Sequence, residues 1–187
     1  MAKVILGFVG PIAAGKGASC EYLIKKHRAG YHRFSSILRD IVDRLHLKQE
    51  RDTLQKISTI LRGNFGDDVL AKTLALDVKQ DLNELVVVDG VRRLPDIKYL
   101  TDLPHFYLVA INADEKTRYE RMRKRDENPG EASKTFSEFQ VDGKQESEWQ
   151  VENVMKQAIF VIDNNGSFDE LHKQIDDLLN KTRAGMD

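Results

Sequence analysis

Seven residues near the start of the chain, Gly10-Pro11-Ile12-Ala13-Ala14-Gly15-Lys16, set a glycine, four residues, a second glycine and a lysine in a row. That spacing suits a polyphosphate. Glycines let the backbone wrap closely around oxygens, successive N–H groups point inward, and a helix beginning at the lysine adds positive potential. Lys16 brings a compact charge to the outer phosphates. The triphosphate contacts expected of this stretch are Gly10, Ala13, Ala14, Gly15, Lys16, Gly17 and Ala18. A Ser or Thr commonly follows the lysine and holds Mg2+ through its hydroxyl. Here Gly17 and Ala18 follow, and Ser19 can substitute only through water. The competing reading is a glycine-rich strand-to-helix turn without a ligand; the apolar strand before it and the helix after it argue against that.

A second feature is Asp89-Gly90-Val91-Arg92-Arg93, directly after the apolar run Leu85-Val86-Val87-Val88. A carboxylate at the end of a buried strand is expensive unless something pairs with it. A metal-bound water network is one reason for Asp89 to be there, and a turn or capping role is the plainer alternative. One cysteine and five scattered histidines make no metal-ligand cluster.

The elements that must position these residues are legible from pattern. Val4 to Val9 reads as a buried parallel strand and Lys16 to about His27 as a helix. Gly30 breaks that helix, and Tyr31 to Ser35 reads as a weak strand. Ile37, Leu38, Ile41, Val42 and Leu45 make a helical stripe. Helix continues from Asp52 to Leu82 with a break at Gly63 to Gly66. Further strands are Leu85 to Val88, Phe106 to Ile111 and Phe160 to Ile162, with Asp114 capping the helix after the second of these. Ser167-Phe168-Asp169-Glu170 fits a capping box, and Phe168, Leu171, Ile175 and Leu178 line one face of a last helix. Strands alternate with helices throughout, which predicts an α/β protein with a mostly parallel sheet. Only Glu127 to about Glu148 breaks the rhythm: it is polar, with little periodicity, and reads as a functional or disordered loop.

At 187 residues the chain is expected to form a single domain. Its 41 % hydrophobic and 32 % charged residues are ordinary for a globular protein. With a net charge of -1 and a pI of about 6.5, no global basic field points to nucleic acid, so any anion-binding surface must be local. Val4 to Val9 is too short to span a membrane, and the expected location is cytoplasmic. Cys20 is expected as a buried hydrophobe, and Trp149 as a packing residue, with an adenine stack as its alternative.

With these residues in place the chain resembles the nucleoside monophosphate kinases and dephospho-CoA kinases among P-loop proteins. Gly15-Lys16-Gly17 resembles the adenylate kinase loop. Ser36-Ile37-Leu38-Arg39 resembles that family's acceptor-binding segment. Asp89-Gly90-Val91-Arg92 is similar to the Asp-Gly-Val-Arg of archaeal adenylate-kinase-like proteins. Glu120-Arg121 with Arg125 looks like the start of a lid. Val161 to Ser167 is similar to the end of dephospho-CoA kinases.

The resemblance implies a three-layer P-loop fold with a five-stranded parallel sheet in the order 2-3-1-4-5. It also implies a single domain over 1–187, with acceptor-binding helices at about 36–82 and a lid at about 121–148. Asn164 and Gly166 lie where related kinases contact the adenine. Arg39 and Arg92 are expected to hold an acceptor phosphate, since a planar fork grips phosphate bidentately; Arg93 is the alternative to Arg92. Arg62 and Asp67 flank the helix break and can face the acceptor base. Arg121 and Arg125, four apart, share one helix face, as a lid closing over ATP requires. Arg118, Arg123 and Lys124 crowd the same helix, so part of its charge is surface.

The implied activity is transfer of the γ-phosphoryl group of ATP, with Mg2+, to a nucleoside monophosphate-like acceptor. Lys16, Arg121, Arg125 and Asp89 are the expected catalytic set, Asp89 holding the metal through water. Phosphorylation of a nucleotide hydroxyl in the dephospho-CoA kinase manner, and non-catalytic ATP binding, are the alternatives. The expected partners are small molecules, for a monomer or small homo-oligomer. No Asn-Lys-x-Asp guanine motif is present, which argues against a signalling GTPase.

Overall fold

A computed structural model describes residues 3–125, 130–143 and 146–185, and of residues 146–149 the backbone alone. In chain order the elements are β1 (Val4–Val9), α1 (Lys16–His27), β2 (Gly30–Arg33), α2 (Phe34–Arg44), α3 (Arg51–Phe65), α4 (Val69–Gln80) and β3 (Leu85–Asp89). Next come α5 (Leu94–Ile97), β4 (Phe106–Asn112), α6 (Glu115–Arg125), a 3-10 turn at Glu131–Ser133, α7 (Phe136–Asp142), α8 (Glu146–Met155), β5 (Phe160–Asp163) and α9 (Phe168–Ala184). The strands form one parallel sheet in the order β2-β3-β1-β4-β5, as expected.

Period-two alternation along β1 explains why helices cover both faces. Ile5 and Val9 point into a core shared with α2, α4 and α8, where Leu38, Leu74 and Val154 meet them. Val4, Leu6 and Phe8 point the other way, against Leu23 of α1 and Leu171 and Ile175 of α9. The register pairs Ile5 with Val86 and with Phe106, Arg33 with Asp89, and Asn112 with Asp163. Parallel pairing therefore brings the carboxyl ends of all five strands to one edge, where open α/β sheets bind ligands.

Several expectations shift. The strand expected over Tyr31 to Ser35 ends at Arg33, because Phe34, Leu38 and Val42 bury one face at helical spacing. Leu45, expected in that stripe, is exposed. Gly63 sits inside α3; the break falls at Gly66, which has φ +100°. Phe168, expected in the core, is exposed, while Leu171, Ile175 and Leu178 are buried as expected.

The polar insertion is not a structureless loop. Its described part holds the 3-10 turn, α7 and the start of α8, with Phe139 buried against Arg118 and Tyr119. A Thr135–Glu138 capping box starts α7. Residues 126–129 and 144–145 of the expected lid, and the side chain of Trp149, lie outside the described residues. Among the described residues no helix is long and apolar enough to cross a membrane.

Candidate functional site

The turn from β1 into α1 is fixed by close approaches that only glycine allows. A Cβ on Gly10 would lie 2.1 Å from the Ile111 carbonyl oxygen, and one on Gly15, at φ +110°, would lie 2.1 Å from Nδ2 of Asn164. Ala13 is held in the left-handed region at φ 60°, a strained conformation for a residue with a Cβ and one that clusters at functional loops. The N–H groups of Gly15, Gly17 and Ala18 have no backbone acceptor among the described residues, as the first turn of a helix leaves them. Lys16 folds back over the loop, donating from Nζ to the carbonyls of Gly10 at 2.6 Å and Pro11 at 2.9 Å.

This loop floors a cleft of about 830 Å³. Its walls come from the carboxyl ends of β2 and β3, from α6, and from the segment joining β5 to α9. Lys16, Arg33, Arg92, Arg121, Lys124 and Arg125 line it with one carboxylate, Asp89, among the described residues. A chain whose net charge is -1 thus concentrates positive charge in one concavity, the arrangement that draws in an anion.

Asp89 is 8 % exposed. Its Oδ2 accepts a hydrogen bond from the Tyr31 hydroxyl at 2.9 Å and lies 3.5 Å from Nε of Arg33. Its Oδ1 has no partner among the described residues. Burial, and then the charge of Asp89, push the Tyr31 hydroxyl well above the ordinary phenol range. Tyr31 therefore stays protonated and donating.

These residues fit a divalent cation held through water. Gly17 offers no hydroxyl, and the space around it is open. Ser19, considered as a substitute, is fully buried, with its hydroxyl donating to the Gly15 carbonyl at 3.1 Å. That leaves the Oδ1 of Asp89. No cluster of three or more His, Cys, Asp or Glu is found among the described residues.

The expected arginines divide. Arg92 lines the cleft. Arg93 turns away to Asp96, at 3.1 Å, and does not line the cleft. Arg39 is exposed on the solvent side of α2 and donates to Gln49 Oε1 at 2.6 Å. Arg62 closes the end of α3, donating to Ser58 Oγ at 3.2 Å and the Asp67 carbonyl at 2.7 Å. Neither lines the cleft: Arg39 lies on the face that α2 leaves to water, and Arg62 is half-buried and held at the end of α3 by Ser58 and Asp67.

Arg121 lines it and donates to the carbonyls of Asn164 at 2.7 Å and Gly166 at 3.3 Å, tying α6 to the β5–α9 segment. Arg125 also lines it, with its fork bidentate on the buried Glu131 at 3.0 and 2.7 Å. Asn164, expected at an adenine, is buried and donates from Nδ2 to the Ala14 carbonyl at 2.8 Å. Its side chain braces the phosphate loop. Gly166 lines the cleft, with no room for a Cβ beside Glu170.

Arg33, Tyr31 and Phe168 also line the cleft, and sequence reasoning missed them. Arg33 is the last residue of β2, at the carboxyl edge of the sheet where ligands bind, a place hidden when the strand is read on to Ser35. Lys124, on the helix whose charge is expected to be partly surface, lines the cleft too.

Residues 6–150 match the model of the AAA domain family. The chain belongs to that family, whose members are P-loop NTPases. This AAA domain is also similar along most of its length to a UPF0200 protein of Methanocaldococcus jannaschii. They share 25 % identity over 178 residues, 94 % of this chain and 89 % of that one. A UPF0200 protein of Hyperthermus butylicus is 29 % identical over 145 residues, 78 % and 77 % of the two chains. Among solved structures, a shikimate kinase from Bacteroides thetaiotaomicron superposes with a TM-score of 0.66 at 14 % identity, covering 96 % of this chain and 98 % of that one. A shikimate kinase from Acinetobacter baumannii gives 0.56 at 13 % identity, covering 98 % and 94 %. At such identity these two speak to the fold alone, a P-loop NTPase fold.

Proposed function

We propose that this chain is an ATP-dependent phosphotransferase that moves the γ-phosphoryl group to a small nucleotide-like acceptor. The observation that carries the reading is a single cleft in which a phosphate loop and converging cations face one buried carboxylate with a free oxygen. Phosphoryl transfer asks the protein mainly for alignment, exclusion of water and stabilisation of charge on the equatorial oxygens. The bond between the γ-phosphorus and the β–γ bridging oxygen breaks, a new bond forms to the acceptor oxygen, and ADP leaves.

Each group then has a task. The loop N–H groups and Lys16 hold the triphosphate, Lys16 exchanging its two carbonyl partners for phosphate oxygens. Arg121 and Arg125, on one face of α6, close over ATP with the segment at about 121–148. Mg2+, held by Asp89 through water, would offset charge on the phosphates. Arg92 and Arg33, which both line the cleft, take the anionic part of the acceptor. Arg39 and Arg62 reach an acceptor only if the helices at about 36–82 close over it. In favour of that movement, α3 packs on the core only through the half-buried Leu54, Ile57 and Leu61. A monophosphate acceptor is already ionised and needs no base. The free Oδ1 of Asp89 also suits a hydroxyl acceptor, which does need one, and this observation favours phosphorylation of a nucleotide hydroxyl as the second reading.

The test is ADP formation from ATP·Mg2+ with ribo- and deoxynucleoside monophosphates and dephospho-CoA in turn. Acceptor-dependent turnover is expected, abolished by Lys16→Ala and with a raised acceptor KM in Arg92→Ala. Binding of ATP without turnover on any acceptor would make the chain a non-catalytic nucleotide-binding protein instead.

A further inference from the structure

Phe168 does not behave as its helix predicts. The residues that share its face, Leu171, Ile175 and Leu178, are buried, yet Phe168 is 68 % exposed and lines the cleft beside Gly166 and Ser167. Other apolar side chains of the chain are as exposed, but Phe168 stands open among the cations of the cleft, where it offers a ligand a flat apolar face to pack on.

We propose that the Phe168 ring is the platform on which the base of the bound nucleotide stacks, so that the cleft selects a base by its π-face rather than by its edges. The proposal rests on the reading of the cleft as a nucleotide site. The ring is held without being covered. Ser167 and Glu170 close a capping box around it, Ser167 N donating to Glu170 Oε2 at 2.7 Å and Glu170 N to Ser167 Oγ at 3.3 Å. One turn on, His172 lies with its ring centroid 6.2 Å from that of Phe168. His172 in turn stacks on Tyr22 of α1, at 3.8 Å with 8° between the planes, and the Tyr22 hydroxyl donates to Asp176 at 2.8 Å. A ladder of rings thus runs from the helix that begins at the phosphate loop to the open face of Phe168.

The edge-reading alternative is poorly supplied. Asn164, the amide best placed in sequence to read a base, is buried and spent on the Ala14 carbonyl. Both Arg121 bonds go to backbone carbonyls. A stack tolerates any base, because every base has a π-face, and it favours the larger purine rings.

The experiment measures binding of ATP, GTP, CTP, UTP and inorganic tripolyphosphate, each with Mg2+, to the full chain and to Phe168→Ala, Phe168→Trp and Lys16→Ala. Phe168→Ala is expected to weaken ATP about ten-fold, to level the purine and pyrimidine nucleotides, and to leave tripolyphosphate unchanged. Phe168→Trp is expected to keep ATP affinity. The Phe168 ring is exposed, so its replacement leaves the core intact, and the tripolyphosphate value reads any loss of the fold. If Phe168→Ala binds all four nucleotides like the wild type while Lys16→Ala still abolishes binding, the stack is overturned and the phosphate cradle stands. An equal loss for ATP and tripolyphosphate in Phe168→Ala also overturns it. Failure of the wild-type chain to bind any of these ligands overturns both readings.

Discussion

Replacing Asn164 by alanine separates two roles that sequence alone could not. The side chain is buried, and its Nδ2 donates at 2.8 Å to the carbonyl of Ala14, inside the phosphate loop. Removing it leaves that carbonyl without this partner, a loss of about 1–3 kcal/mol for a buried polar group. Taking about 2 kcal/mol, a chain of this size should lose roughly 4–8 °C in Tm. The same loss falls on the loop, since Gly15 is packed so tightly against Nδ2 that a Cβ there would sit 2.1 Å away. A loosened loop binds every polyphosphate less well. Thermal unfolding with and without ligand, followed by titration calorimetry with Mg2+·ATP and with Mg2+·tripolyphosphate, reads both effects. ATP and tripolyphosphate affinities should fall together. If only ATP weakens, or if Tm moves by less than about 1 °C, the residue contacts the base and does not brace the loop.

Two further outcomes follow from single positions. Gly17→Ser places a hydroxyl where no atom lies within 4 Å and where the backbone is not left-handed; it should lower the Mg2+ concentration for half-maximal ATP binding about ten-fold, and an unchanged Mg2+ titration would refute the open metal position. Cys20 is buried, and burial followed by the charge of Asp89 pushes its thiol far above the ordinary range. Its neutral form therefore contributes stability that is complete below a thiol pKa of about 8.5 and is lost as pH rises beyond it. A water-soluble thiol reagent at pH 8 should label it only at denaturant concentrations that unfold the chain, and fast labelling of the native protein would contradict this.

Much of the molecule was readable from local pattern. Branched apolar runs made strands β1, β3, β4 and β5 recognisable, and strand–helix alternation led to the parallel sheet. The Ser167–Glu170 capping box forms as read. The Thr135–Glu138 box carries the same signal and would have placed α7 in the polar insertion, whose helix buries Phe139 and leaves Phe136 and Val141 exposed. The start of α2 was misplaced because Phe34 suits a strand end as well as a helix start; packing against the sheet chose the latter.

Local chemistry thus determined the phosphate loop, the alternation and the helix caps, because each depends on residues within a few positions of one another. The membership of the cleft was decided only by tertiary structure. Asn164 reaches Ala14 across 150 positions, and Tyr31 reaches Asp89 across 58. Whether Arg39 or Arg33, Arg92 or Arg93 faces the cavity depends on which side of each element the sheet covers. An arginine's identity says that it can grip an anion; the packing of its neighbours says where it points.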